Sequence, residues 1–184
     1  MHPVLFLEAD MKRSLIVFLF ALITTFASAR GVYQQPIAFI NEVFADRPPE
    51  ATRIWLTGER KSVASAILGH RPTSLRLRYW GKDNRTAWVL EEIGKEKPIT
   101  VGIVVNNNRI ERVKVLIFLE SRGWEVRHDF FTNQFKNTGL QKDQTLNKDI
   151  DGISGATLSV RALKKLTRLA LYLHSQTPFA HDAP

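Results

Sequence analysis

No cysteine occurs among the 184 residues, and that absence closes off several kinds of chemistry. Disulfides, thiolate-bound iron–sulfur clusters, covalently attached c-type haem and a lipid anchor carried on cysteine are all excluded. If such a chain handles electrons, it needs another carrier. Low-complexity tracts and internal repeats are missing too. The five histidines, at positions 2, 70, 128, 174 and 181, lack the spacing of a metal-ligand set, so no metal is assigned.

Also lacking is an apolar run of the roughly 20 residues that a comfortable membrane span needs. The run at residues 14–26 is shorter. It follows Met11-Lys12-Arg13 and precedes Ala27-Ser28-Ala29, the order of a positive n-region, an apolar h-region and a small-x-small cleavage site. Residues 1–29 therefore read as an export signal cut before Arg30, with an uncleaved N-terminal membrane anchor as the alternative. Glu8 and Asp10 suit neither a signal nor a core, which makes Met11 the candidate true start. The expected location is the periplasm.

What is present suits one domain. Apolar residues make up 44% of the chain, and eleven Phe with four Trp can fill a sizeable core. Lys and Arg number 26 against 18 Asp and Glu, a net +8; the leader holds two of each, so the excess belongs to the exported part. On an exported protein a basic surface suits an acidic partner or anionic lipid heads better than nucleic acid. A solvated surface that keeps the domain soluble explains the charge equally well.

Periodicity predicts the elements. Residues 34–44 carry Ile37, Ile40, Val43 and Phe44 at helical spacing before Pro48-Pro49, and residues 61–68 form a second short helix ahead of a C-cap Gly69. Ile54-Trp55-Leu56 reads as a short strand. Residues 75–80, 86–91, 100–105 and 109–119 alternate as strands joined by short turns, the last turn being Asn106-Asn107-Asn108, and together they make an antiparallel meander. Near its end the last strand is expected to be covered on both faces. Trp55, Trp80 and Trp88 are expected in the core. Residues 129–135 suggest a helical turn or two, and 136–149 are polar and irregular. A helix over 158–174 buries Ala162, Leu163, Leu166, Leu169, Ala170 and Leu173, and its opposite face carries Arg161, Lys164, Lys165 and Arg168. Helices flanking a sheet without βαβ alternation indicate an α+β fold. The chain divides into a leader (1–29), a helical segment (30–70), a main domain (71–176) and a tail (177–184).

Chemistry concentrates in Asp151-Gly152-Ile153-Ser154-Gly155-Ala156-Thr157, immediately before the last helix. Glycine and alanine let a bulky group approach the backbone, and the open amides of a helix N-terminus favour an anion. A plain N-cap by Ser154, Thr157 or Ser159 is the competing reading. Asp151 would repel a phosphate, so it must point away or serve an earlier event.

The string Asp-x-x-Ser-Gly-Ala-Thr resembles the acceptor motif of the FMN-binding domain family, which includes the flavin-carrying subunits of sodium-pumping quinone reductase and of the Rnf complexes. A second match supports it. That family has a Glu-Thr-x-Gly loop at a strand end, then an aromatic helix ending in Gln-Phe. Here Glu120-Ser121-Arg122-Gly123 and Phe130-Phe131-Thr132-Asn133-Gln134-Phe135 stand in the same order, and the resemblance covers about residues 99–174. It implies FMN esterified through its phosphate to Thr157 by a separate, magnesium-dependent flavin transferase. Asp151, Ser154, Gly155 and Ala156 would be read by that transferase. Glu120, Ser121, Gly123 and Trp124 would line the cofactor site, with Arg122 as a nearby positive charge. The chain departs from the pump subunits at Phe118, where they carry His, at Ser121 for Thr and at Arg122 for Pro; residues 33–98 match them poorly. It looks closer to short, stand-alone exported FMN-binding proteins. The resemblance implies an electron-transfer flavoprotein working with a membrane redox protein, more a carrier than a stand-alone enzyme. An accessory or regulatory module of a membrane redox complex, with no electron-transfer role of its own, is the alternative.

Overall fold

Two adjacent asparagines set one register of the sheet. In a computed structural model that describes residues 31–180, Asn107 and Asn108 adopt φ of 48° and 60°, and Asn106 pairs with Arg109 across them. Positive φ at both central residues of a two-residue hairpin is the type I′ geometry, whose twist matches the flanking strands. The hairpin joins two members of a five-stranded antiparallel meander: β1 (Thr52–Trp55), β2 (Arg76–Lys82), β3 (Arg85–Ile93), β4 (Pro98–Asn106) and β5 (Arg109–Phe118), in spatial order β1-β2-β3-β4-β5. The expected α+β meander is thus observed. The expected leader lies outside the described residues.

Helices cover both faces of the sheet. On one face α1 (Pro36–Val43) lays Phe39 and Ile40 against Ala87, Val104 and Leu116. Its buried stripe runs through Phe39, Ile40 and Phe44 rather than through Ile37, which is exposed. On the other face lie α2 (Gly58–Leu68), closed by an αL Gly69, and the long α4 (Thr157–Ser175). Between α2 and α4 in sequence comes the one-turn α3 (Asp129–Thr132), flanked by 3-10 turns Trp124–Arg127 and Asn133–Phe135. Because layers lie on both sides, β4 is buried from Ile99 to Val105 without alternation, and Leu116 and Phe118 of β5 are buried together. The N-terminal helical segment also supplies β1, which pairs with β2 from Thr52↔Tyr79 to Trp55↔Arg76.

All six residues expected in the buried stripe of α4 are buried. Each large aliphatic side chain so placed contributes about 1.5–3 kcal/mol by leaving water. Toward its C-terminus the helix is buried on further faces, because the chain turns back and Phe179 meets the Tyr79 ring edge-on, with centroids 6.3 Å apart. His174 is fully buried there. Trp88 Nε1–H donates to Thr86 Oγ1 at 2.8 Å, so the Thr86 hydroxyl is left to donate to His174 Nδ1, 2.7 Å away. Burial pushes His174 down to about 4, and the ring is neutral at pH 7. Trp88 is core as expected, but Trp55 is 53% exposed with the Arg76 guanidinium 5.8 Å from its ring. It stands on the edge strand β1, on the face opposite the buried Ile54, where no layer among the described residues covers it.

Candidate functional site

The segment preceding α4 forms a tight turn. Ala156 N–H donates to Ile153 O at 3.0 Å, and Gly155 between them sits at φ +80°. That is the position where a type II turn requires positive φ and so favours glycine. A Cβ built on Gly155 would meet nothing within 4 Å, so the space beside this backbone is open. Ala156 is buried and anchors the turn; its carbonyl accepts the Val160 N–H at 2.9 Å, starting the helix. Thr157 is the first helical residue and is exposed, and among the described residues no side chain caps the helix. First-turn N–H groups have no acceptor inside a helix, so those of residues 157–159 face outward with the dipole behind them. The threonine hydroxyl is therefore neither buried nor occupied in capping its own helix, and the N-cap reading of the motif does not hold.

A basic groove runs from this point. Thr157, Val160, Arg161, Lys164, Lys165 and Arg168 of α4 face Ala66, Ile67 and Gly69 across a cavity of about 470 Å³, a volume suited to a nucleotide-sized ligand. Three of its four cations are also tied to the fold. Lys164 Nζ donates to Ile150 O at 3.3 Å, Lys165 Nζ to Glu92 Oε1 at 3.3 Å, and Arg168 Nε to Gln144 O. Glu92 is buried and also meets His70 Nε2 at 3.0 Å. His70 is held above its ordinary value by the Arg71 carbonyl and by the Glu92 carboxylate. Neither α2 as a wall nor Glu92 as a counter-charge had a sequence signal pointing here.

The second loop packs against the first turn of α4. Gly123 is buried at φ +83°, and a Cβ there would stand 2.5 Å from Ser159 Oγ and 3.5 Å from Ala156 Cα. Only glycine permits both that φ and that approach. Trp124 follows, 43% exposed, with its ring 5.3 Å from His128 and 5.1 Å from the Arg127 guanidinium. Arg127 also lies 4.5 Å from the Tyr33 ring, so its guanidinium engages two aromatic faces. Ser121 and Arg122 are exposed. Glu120 is engaged elsewhere: its Oε1 accepts the backbone N–H groups of Lys95, of Glu96 at 2.6 Å and of Lys97 at 2.9 Å, ordering the turn between β3 and β4. Partial burial works against the charge, yet these three donors hold its carboxyl below the usual carboxylate range.

The fold therefore gathers Ser154, Gly155, Ala156 and Thr157 with Gly123 and Trp124 at the mouth of α4, while Glu120 supports the neighbouring turn. Asp151 is exposed, and its backbone N–H donates to Gln134 Oε1 at 2.8 Å. Chemically the arrangement offers a free hydroxyl, open amides and positive charge for a phosphate, with an exposed aromatic surface close by for a flat ring. These features fit a flavin mononucleotide. Residues 94–172 match the model of the FMN-binding domain family, a stretch that holds β4, β5, both loops and most of α4. No curated protein matches the chain.

Proposed function

We propose, from the premise that this chain belongs to the FMN-binding domain family and binds FMN, that it is an exported electron carrier with the flavin phosphate esterified to Thr157. The observation that carries this is the exposed hydroxyl of Thr157 at the uncapped mouth of α4. In forming the ester, Thr157 loses its hydroxyl proton and gains an Oγ1–P bond. The phosphoanhydride of a flavin dinucleotide donor breaks, and a nucleoside monophosphate leaves. A separate, magnesium-dependent flavin transferase performs the step, reading Asp151, Ser154, Gly155 and Ala156.

Bound FMN supplies electron transfer. The chain's own residues hold and surround it. Amides of residues 157–159 take the phosphate oxygens, bare Gly155 leaves room for their approach, and Trp124 gives the ring a flat neighbour. Positive charge from Arg161, Lys164 and Lys165 offsets the negative charge of the phosphate. A covalent tether suits the periplasm, where a dissociated cofactor would be lost. Cleavage at Arg30 yields a free carrier and an uncleaved leader an anchored one; no helix among the described residues is long and apolar enough to cross a membrane. The redox partner is a membrane protein with an acidic docking face, and nucleic acid has no part.

Co-expression with a flavin transferase tests the reading. Intact mass of the wild-type chain should rise by one FMN less one water, and in-gel flavin fluorescence should vanish in Thr157→Ala and weaken in Asp151→Ala. A wild-type chain left colourless under those conditions would overturn it in favour of a regulatory module.

A further inference from the structure

We infer that Gln134 is a positioning residue for flavin attachment: its side-chain oxygen accepts the Asp151 N–H and holds the acceptor segment in the form that the transferase engages. This deepens the assignment of Thr157 as the attachment point and rests on it.

Gln134 is itself firmly placed. It lies in the 3-10 turn Asn133–Phe135, between the fully buried Phe131 and Phe135, whose rings meet edge to face with centroids 5.6 Å apart. From this base it grips the acceptor segment at two points. The Gln134 carbonyl accepts Lys148 Nζ at 3.3 Å, and Gln134 Oε1 accepts the Asp151 N–H at 2.8 Å. Between these points Ile150 is buried and its carbonyl accepts Lys164 Nζ. Beyond Asp151 the chain is mostly exposed until Ala156 turns into the core. Asp151 is thus the last upstream anchor before the turn that presents Thr157, and its exposed carboxylate takes its direction from a backbone that Gln134 holds.

The chemistry of the pair explains the residue type. An amide oxygen accepts one backbone N–H without bringing charge beside the Asp151 carboxylate. Methionine has nearly the same length and no comparable acceptor, whereas glutamate keeps the oxygen and adds a charge. Loss of the bond lets the segment sample other arrangements, and a transferase that binds only one of them sees its apparent affinity fall by the populated fraction. KM should therefore rise while kcat stays near wild type.

Purified, flavin-free chain is to be titrated against a flavin transferase with flavin dinucleotide and magnesium, following initial attachment rates by in-gel fluorescence. Gln134→Met is expected to lower kcat/KM about tenfold, almost wholly through KM, and Gln134→Glu to stay within about threefold of wild type. Amide hydrogen exchange on the same flavin-free proteins gives a readout that needs no transfer. The Asp151 N–H should be protected in wild type and in Gln134→Glu, and unprotected in Gln134→Met. Wild-type kinetics in the methionine variant, equal impairment of both variants, or an Asp151 amide that exchanges equally fast in wild type and Gln134→Met would overturn the inference. A wild-type chain that accepts no flavin while its Asp151 amide is protected would instead overturn the Thr157 assignment.

Discussion

Replacing Gly123 by alanine tests the junction on which the candidate site depends. Two costs are separable. A backbone at φ +83° costs an L residue about 1–2 kcal/mol, whatever space surrounds it. The added methyl would also lie 2.5 Å from Ser159 Oγ, and Ser159 is buried, so the hydroxyl has little room to retreat. Overpacking of that kind adds roughly 1–3 kcal/mol. Unfolding of Gly123→Ala should show a combined loss of about 2–5 kcal/mol, with a fall in Tm of roughly 4–20 °C for a domain of this size. Ser159→Ala removes the clashing oxygen and leaves its Cβ at 3.4 Å from the new methyl, an ordinary contact. The double variant should then recover about 1–3 kcal/mol relative to additivity, leaving the backbone strain alone. Strictly additive substitutions, or a Gly123→Ala as stable as wild type, would refute the packing of this loop on α4.

Other measurements follow from the same geometry. Thr157→Ala removes an exposed, uncapping hydroxyl, so its stability should stay within about 0.5 kcal/mol of wild type even as flavin attachment disappears. Glu120→Ala should lose about 1 kcal/mol in urea unfolding at pH 7, since three turn amides exchange a carboxylate for water. Its folded-state carboxyl is lowered, so this contribution is present above the unfolded value and fades as pH falls through the folded one. His174 dominates a higher window. With its folded value lowered from 6.5 to about 4, stability should drop by about 3 kcal/mol as pH falls from 6.5 to about 4, and His174→Gln should flatten that slope. His70 is raised instead, so it stabilises below 6.5 and that contribution fades as pH rises through its folded value, a small effect because the ring is well exposed.

Much of the scaffold was legible because it is local. The Asn107-Asn108 pair announces its hairpin through residues that tolerate positive φ, and the six-residue stripe of α4 announces a buried face through 3.6-residue spacing. Trp55 was not legible in the same way. A tryptophan in a strand is usually covered, and only the position of β1 at the sheet edge leaves it in water. The charges of α4 mark a polar face in the sequence, yet Lys165 reaches a buried Glu92 and Arg168 reaches the Gln144 carbonyl. Side-chain pattern gives exposure along one element and says nothing of what the next element brings to it.

The linear order of residues determined the turn at Ser154-Gly155 and the helix that Thr157 opens, since each depends on neighbours a few positions apart. Tertiary packing alone decided that Gly123 would press on Ser159, that Glu120 would hold the 95–97 turn and that Gln134 would hold Asp151. Each contact joins segments well separated in the chain, and only the packing of loops and helices around the sheet brings them together.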